Sequence, residues 1–257
     1  MTRSSVLIFA GLDPSGGAGI AADILAVTAQ GAHALPVVTT LTVQDNDHVF
    51  DALAVDSATL GRQAQALIDR IEVKAVKIGI PGSRANAQVI ADVIIRLRRQ
   101  RPSLPVVLDP VLASGNGDAL SREDALQALA PLLPLVTLIV PNSPEARLLS
   151  GLQTGHAAQA ERLRASGCQH VLITGGHDDD ATVVNRWFGP GVQQVWNWAR
   201  LPAAFHGSGC TLASAIAARL AQGDTMALAL CAAQAYCHRA LAEAYAIGPG
   251  QHIPKRC

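Results

Sequence analysis

Six short apolar runs constrain this chain more than any other feature. Each ends in a polar or glycine-rich turn, and most lead into a stretch of helical period. They cover residues 6–9, 35–43, 74–78, 105–108, 137–140 and 170–173. The first, Val6-Leu7-Ile8-Phe9, is apolar at every position, as a strand buried on both faces must be. Between the runs the sequence predicts helices at 20–30, 59–71, 84–99, 121–133 and 157–166, with a short one after Glu145. Arginines gather near the C-terminal end of 84–99, where the helix dipole favours them. Ser121 and Asp124 are spaced as the N-cap and N3 of a capping box. Alternation of this kind predicts an α/β fold, a three-layer α/β/α sandwich around a mostly parallel sheet. After the sixth run the rhythm changes. Residues 182–188 and 192–199 flank a Gly-Pro-Gly break and read as an antiparallel hairpin at the sheet edge. Trp187, Trp196 and Trp198 all fall on that hairpin, where hairpin packing or an edge cover is the expected role and stacking on a planar ligand the alternative. Two Ala-rich helices, 210–221 and 225–245, follow, and the tail from residue 248 reads as irregular. With no repeat, low-complexity tract or linker, residues 1–257 read as a single domain.

Charge excludes several function classes. Twenty basic and 20 acidic residues cancel, leaving no electrostatic footprint for nucleic acid or an anionic membrane. The five cysteines form an odd set with no C-x-x-C pair. That argues against a disulfide framework or a zinc site and for a reducing cytoplasm. The apolar run near the N-terminus is too short for a signal-peptide core, and no run reaches membrane-spanning length.

Ligands of parallel sheets bind beyond the carboxyl ends of the strands. Asp13, Gln44, Asp109, Asn142 with Glu145, and Thr174 through His177 all follow predicted strand ends. Each alone is ordinary turn chemistry; their convergence on one sheet edge is the signal. A second signal is Phe205-His206-Gly207-Ser208-Gly209-Cys210-Thr211, a glycine turn that runs straight into a helix. The first N–H groups of a helix lack internal partners and carry partial positive charge, so such a turn suits a phosphate. Cys210 lies in the first turn, where a thiol pKa is expected to fall. Familiar phosphate and hydrolase motifs are missing. There is no G-x-x-x-x-G-K-[ST], and none of Lys74, Lys77 and Lys255 follows a glycine. Nor is there a G-x-G-x-x-G after the first strand, a G-x-S-x-G elbow, or an H-x-x-x-H pair. What remains is phosphoryl transfer without a P-loop. Asp109 and Glu145 offer hard oxygen ligands for Mg²⁺ beside substrate phosphates. A helix N-terminus stabilises the transferring group, and a neighbouring group takes the alcohol proton.

The segment Ala10-Gly11-Leu12-Asp13-Pro14-Ser15-Gly16-Gly17-Ala18-Gly19-Ile20, with Ala22-Asp23, resembles the opening of the bacterial hydroxymethylpyrimidine/phosphomethylpyrimidine kinases. These are the thiamine-pathway members of the ribokinase-like superfamily. The resemblance continues through Val43-Gln44, Lys77-Ile78-Gly79, Val107-Leu108-Asp109-Pro110-Val111, Pro141-Asn142-Ser143-Pro144-Glu145-Ala146, Gly175-Gly176-His177 and His206-Gly207-Ser208-Gly209-Cys210-Thr211, in order over nearly the whole chain. It implies that Gly207, Ser208 and Gly209 form the anion hole and that Cys210 is the catalytic base. Gly11, Asp23, Gln44 and Val111 would hold the pyrimidine ring, with Asp23 and Gln44 hydrogen-bonding its amino edge. Ile80 stands where relatives often carry methionine. Asp109 and Glu145 would hold Mg²⁺, and Asn142, Thr174 and Gly176 would face ATP. The family also implies a homodimer. Thr174 replaces a lysine common before Gly-Gly-His, a loss of cation expected either to weaken nucleotide binding or to shift the phosphate counter-charge to another group. Pro202-Ala203-Ala204-Phe205 replaces a more polar lead-in to the glycine turn.

Three functions follow from this sequence. The first is an ATP- and Mg²⁺-dependent kinase of 4-amino-5-hydroxymethyl-2-methylpyrimidine and its monophosphate. The second is a pyridoxal or bifunctional pyridoxal–pyrimidine kinase; some of those carry an extra cysteine where His206 stands. The third is a non-catalytic binder of the pyrimidine or its phosphate, for which Thr174 is the main support.

Overall fold

A computed structural model describes residues 2–112 and 125–257. The predicted cap at Ser121 and its partner Asp124 lie outside the described residues. The first half runs β1 (Ser5–Leu12), α1 (Gly19–Ala29), β2 (His33–Gln44), β3 (Val49–Ala54), α2 (Ser57–Ile68), β4 (Val73–Ile78), α3 (Arg84–Gln100) and β5 (Val106–Leu108). The second runs α4 (Ala125–Leu129), β6 (Leu138–Ile139), α5 (Ser143–Ser150), α6 (His156–Ala165), β7 (His170–Ile173), β8 (Thr182–Gly189), β9 (Val192–Ala199), α7 (Ser208–Ala221) and α8 (Met226–Ala242).

One nine-stranded sheet carries the order β3-β2-β1-β4-β5-β6-β7-β8-β9. Across that order the six neighbours β2, β1, β4, β5, β6 and β7 pair in parallel. The β8–β9 hairpin is antiparallel, as its sequence predicts. The opposite edge corrects the sequence reading, for β3 runs antiparallel to β2 and closes that side as well. No side chain of β3 is buried, so the segment carries no core pattern to betray it.

The sandwich follows from the strand period of two. Leu7 and Phe9 of β1 point into a layer with Leu60 of α2 and Ile90 and Ile94 of α3. Val6, Ile8 and Ala10 point the other way, against Ile20 and Val27 of α1 and Ala213 and Ile216 of α7. In α7, residues 211–218 are all buried, so the helix is apolar all round and lies within the core. Its alanines let it approach the sheet closely. Strand order reverses between β1 and β4, because the chain leaves β1 for β2 on one side and returns for β4 on the other. A crevice opens at such a switch point, beyond the strand C-termini.

The tail predicted as irregular has no strand or helix of its own, but it is packed. Short bridges tie His252 to Phe205 and Ile253 to Tyr245.

Candidate active site

A cavity of about 580 Å³ opens at that switch point. Its wall includes Gly11, Gln44, Ile80, Asp109, Val111, Asn142, Glu145, Thr174, Gly176, and Gly207 through Cys210. All the residues singled out from sequence therefore meet there except one. Asp23 is not on the wall. It is fully buried in α1, where its oxygens lie 2.8 and 2.9 Å from Lys77 Nζ and accept a 2.7 Å hydrogen bond from Ser214. The expected contact of Asp23 with the pyrimidine edge is thereby corrected. Its carboxylate is the nearest counter-charge of the fully buried Lys77. Lys77 itself reaches the cavity, and its Nζ lies 3.8 Å from Asp109 Oδ2.

Two glycine loops meet behind the cavity. Gly207 has φ +76°, and a Cβ there would sit 2.1 Å from the carbonyl oxygen of Gly17. Gly19 has φ +56°, and a Cβ there would sit 2.3 Å from the carbonyl of Gly11. Only glycine permits this approach. No side chain caps the N-terminus of α7, so its first amide N–H groups are left for a ligand. Asp13 organises the first loop. It accepts bonds from Ser15 N and Oγ (2.8 and 2.9 Å) and Ala18 N (2.7 Å), and His206 Nε2 lies 2.8 Å from its Oδ2. Burial pushes the Asp13 carboxyl up, but the bonds from His206, Ser15 and Ala18 outweigh it and hold the pKa below its usual value. Gln44 lies 3.4 Å from the same His206 nitrogen, so His206 links a substrate-wall side chain to the glycine loop.

The electrostatics correct a second expectation. Sequence reasoning expects the helix N-terminus to lower the Cys210 thiol. Instead, burial pushes it up to about 12, against the pull of the Lys77 charge and with Asp109 and Asp23 adding to the rise. The neighbouring Asp109 and the Gly19 amide act on this thiol in opposite directions, the carboxylate favouring the thiol and the amide the thiolate, and burial is larger than either. Burial likewise raises Asp109, against Lys77. Lys77 is raised because the Asp23 carboxylate, helped by Cys210 and Asp109, overcomes the burial that would neutralise it. Glu145 is pushed up to about 8 by burial and then by the Asp109 charge, despite backbone bonds from Asn142 and Leu112.

These carboxylates fit a divalent cation. Asp109 Oδ2 is buried with no hydrogen-bond partner among the described residues. Burial, and then repulsion from Asp109, disfavours the Glu145 carboxylate, and a cation between the two would offset this. No cluster of three metal-ligating side chains occurs among the described residues. Two carboxylates completed by phosphate oxygens and water is the usual Mg²⁺ arrangement.

Asn142 and Glu145 also have a local task. They form a reciprocal capping box on α5, with Asn142 Oδ1 accepting from Glu145 N at 2.8 Å and Glu145 Oε2 accepting from Asn142 N at 2.9 Å. Thr174 bridges to Asn142 at the ends of β7 and β6. Arg200, which sequence reasoning passed over, also reaches the cavity wall. Its guanidinium donates to the carbonyls of Asp180 (2.8 Å), Gly176 (2.9 Å) and Asp178 (2.6 Å), clamping the loop after β7. The signal for Lys77 was a lysine inside an apolar strand; Arg200 had none beyond its place at the end of the hairpin.

A cleft at the switch point, an uncapped helix N-terminus and two carboxylates with an open ligand position define a phosphotransferase acting on a small molecule. Comparison with known proteins carries this further. The sequence model of the phosphomethylpyrimidine kinases matches residues 13–255, and the chain belongs to that family. A hydroxymethylpyrimidine/phosphomethylpyrimidine kinase of Rhizobium meliloti is 37% identical over 95% of this chain and 93% of its own. An ADP complex of Bacillus subtilis pyridoxal kinase superposes with a TM-score of 0.87 at 28% identity, covering 99% of this chain and 98% of that one. Phosphomethylpyrimidine kinase from Clostridium difficile superposes with a TM-score of 0.77 at 30% identity, covering 91% and 98%.

Proposed function

We propose that this protein transfers the γ-phosphoryl group of ATP to the hydroxymethyl oxygen of 4-amino-5-hydroxymethyl-2-methylpyrimidine, and then to the resulting monophosphate, in thiamine biosynthesis. The observation that carries this reading is the meeting of the 207–210 turn, Asp109 and Gln44 on one cavity. Family membership and the shared name of the relatives support the chemistry. Gly11 leaves room for a flat ring, since a Cβ there would lie 3.0 Å from Ile80 Cγ2. Gln44, Ile80 and Val111 frame that ring. The amides of Ser208, Gly209 and Cys210 receive the migrating phosphoryl. Asn142, Thr174 and Gly176 border the nucleotide. Asp109 and Glu145 would hold Mg²⁺, which supplies charge neutralisation to the phosphates when bound.

In the transfer, a bond forms from the alcohol oxygen to phosphorus as the bond to the bridging oxygen of ADP breaks. A thiol pushed up to about 12 keeps its proton in the resting enzyme, so Cys210 is not a standing thiolate. It acts late. The alcohol proton leaves only once bonding to phosphorus has acidified the alcohol, and it passes to the minor thiolate form of Cys210 that Lys77 favours. Lys77, held as an ammonium by Asp23, steadies that thiolate. The test is Cys210→Ala. Turnover should fall by about 10²-fold or more, the usual worth of a general base, while KM for the alcohol stays near wild type. A raised KM with turnover intact would remove Cys210 from the chemistry.

Pyridoxal is a second candidate alcohol, favoured by the TM-score of 0.87 to a pyridoxal kinase. No helix among the described residues is long and apolar enough to cross a membrane. All five cysteines are free, in keeping with a reducing cytoplasm. A homodimer through the β2–β3 edge accounts for the apolar side chains exposed there, Leu41, Val43, Phe50 and Leu53.

A further inference from the structure

Arg256 is 3% exposed, and among the described residues no carboxylate pairs with it. A buried guanidinium without a counter-ion is costly. Its position explains why the cost is borne. Nη2 donates to the carbonyl oxygen of Gly17 and, at 3.5 Å, to that of Gly207; Nε donates to Thr211 Oγ1 at 2.9 Å. Thr211 Oγ1 in turn donates to the Gly207 carbonyl at 2.7 Å. Nη1 is buried with no acceptor among the described residues. One side chain thus spans both glycine loops from behind. The backbone of the segment is itself anchored, since Tyr236 Oη donates to the Arg256 carbonyl at 2.9 Å and Lys255 N to the Ala240 carbonyl at 2.9 Å.

The peptide plane turns these bonds into a statement about the cavity. In a trans peptide the C=O and the following N–H point in opposite directions. A Gly207 carbonyl held toward Arg256 therefore aims Ser208 N–H away from it, toward the cavity side of the turn. A Gly17 carbonyl held likewise aims Ala18 N–H at Asp13, where it makes its 2.7 Å bond.

We propose that Arg256 is a positioning residue for phosphoryl transfer: it fixes the peptide planes of the two glycine loops and holds a positive charge behind the 207–210 turn. This rests on reading the turn as the phosphoryl site. It predicts a penalty specific to the transferring group. Calorimetric titration in the presence of Mg²⁺ should compare ADP with ADP plus aluminium fluoride, a mimic of the migrating phosphoryl. Arg256→Met should weaken the fluoroaluminate complex on the order of tenfold or more, with ADP alone nearly unchanged. It should lower kcat with KM for the alcohol held, and added guanidinium should restore part of kcat. Arg256→Lys keeps the charge but not the span across two loops, so it should fall between. If Arg256→Met does not fold, Arg256→Lys and Tyr236→Phe carry the same comparison, and Lys255→Met is the neighbouring control. Equal weakening of ADP and its fluoroaluminate complex in these variants, or wild-type affinity for both, overturns the inference. Because this comparison needs no alcohol, it can fail while wild-type kinase activity stands, and the reverse.

Discussion

The Cys210 thiol stands between opposing influences. Burial and the carboxylates of Asp109 and Asp23 favour the thiol, while Lys77 favours the thiolate, and burial wins. The thiolate fraction is therefore small at neutral pH and grows as pH rises toward about 12. Alkylation of Cys210 by iodoacetamide should be slow at neutral pH and should keep accelerating through the alkaline range without a plateau. Lys77→Met removes the cation that favours the thiolate and should slow it further. A plateau close to neutrality would mean that the helix terminus, not burial, sets this thiol. Sequence reading located Gly11, Gln44, Asp109 and the 207–210 turn because each follows a strand end or opens a helix. It misassigned Asp23 because an ion pair between residues 54 positions apart leaves no local pattern. It missed Arg256 for the same reason, since the acceptors are carbonyls of loops far away in the chain.

At the scale of elements, α7 couples the core to the chemistry. Its N-terminus forms the turn and its body is the buried layer against β1 and β4. Ile216 is fully buried in that body. Ile216→Ala should cost about 2–5 kcal/mol, the range for a large-to-small change in a packed core. Urea unfolding measures it, and a loss well below 1 kcal/mol would mean that the layer collapses around the gap. The parallel strands and their helices were legible because burial on both faces writes continuous apolar runs. Strand β3 was not, for Val49–Ala54 has no fully buried position to write a core pattern. The segment at 251–256 was not, since its order comes from bridges to Phe205 and Tyr245 rather than from its own period.

Across the whole molecule, the edge that sequence reasoning left unmarked is also the one exposing most apolar surface. Phe50 is 68% exposed and Leu53 55%, on a strand with one free side. Phe50→Asp should shift sedimentation from dimer to monomer, and a wild-type monomer would end the dimer proposal. The sheet order itself places the cavity, because only the reversal between β1 and β4 lets residues from six strand ends share one space. The central claim is that this space moves a phosphoryl group from ATP to a pyrimidine alcohol. Its most direct test is coupled ADP release by the purified protein with hydroxymethylpyrimidine, its monophosphate and pyridoxal side by side. The account predicts Mg²⁺-dependent turnover on both pyrimidines, with higher kcat/KM than on pyridoxal. Tight pyrimidine binding without ADP release, or a preference for pyridoxal, would contradict it.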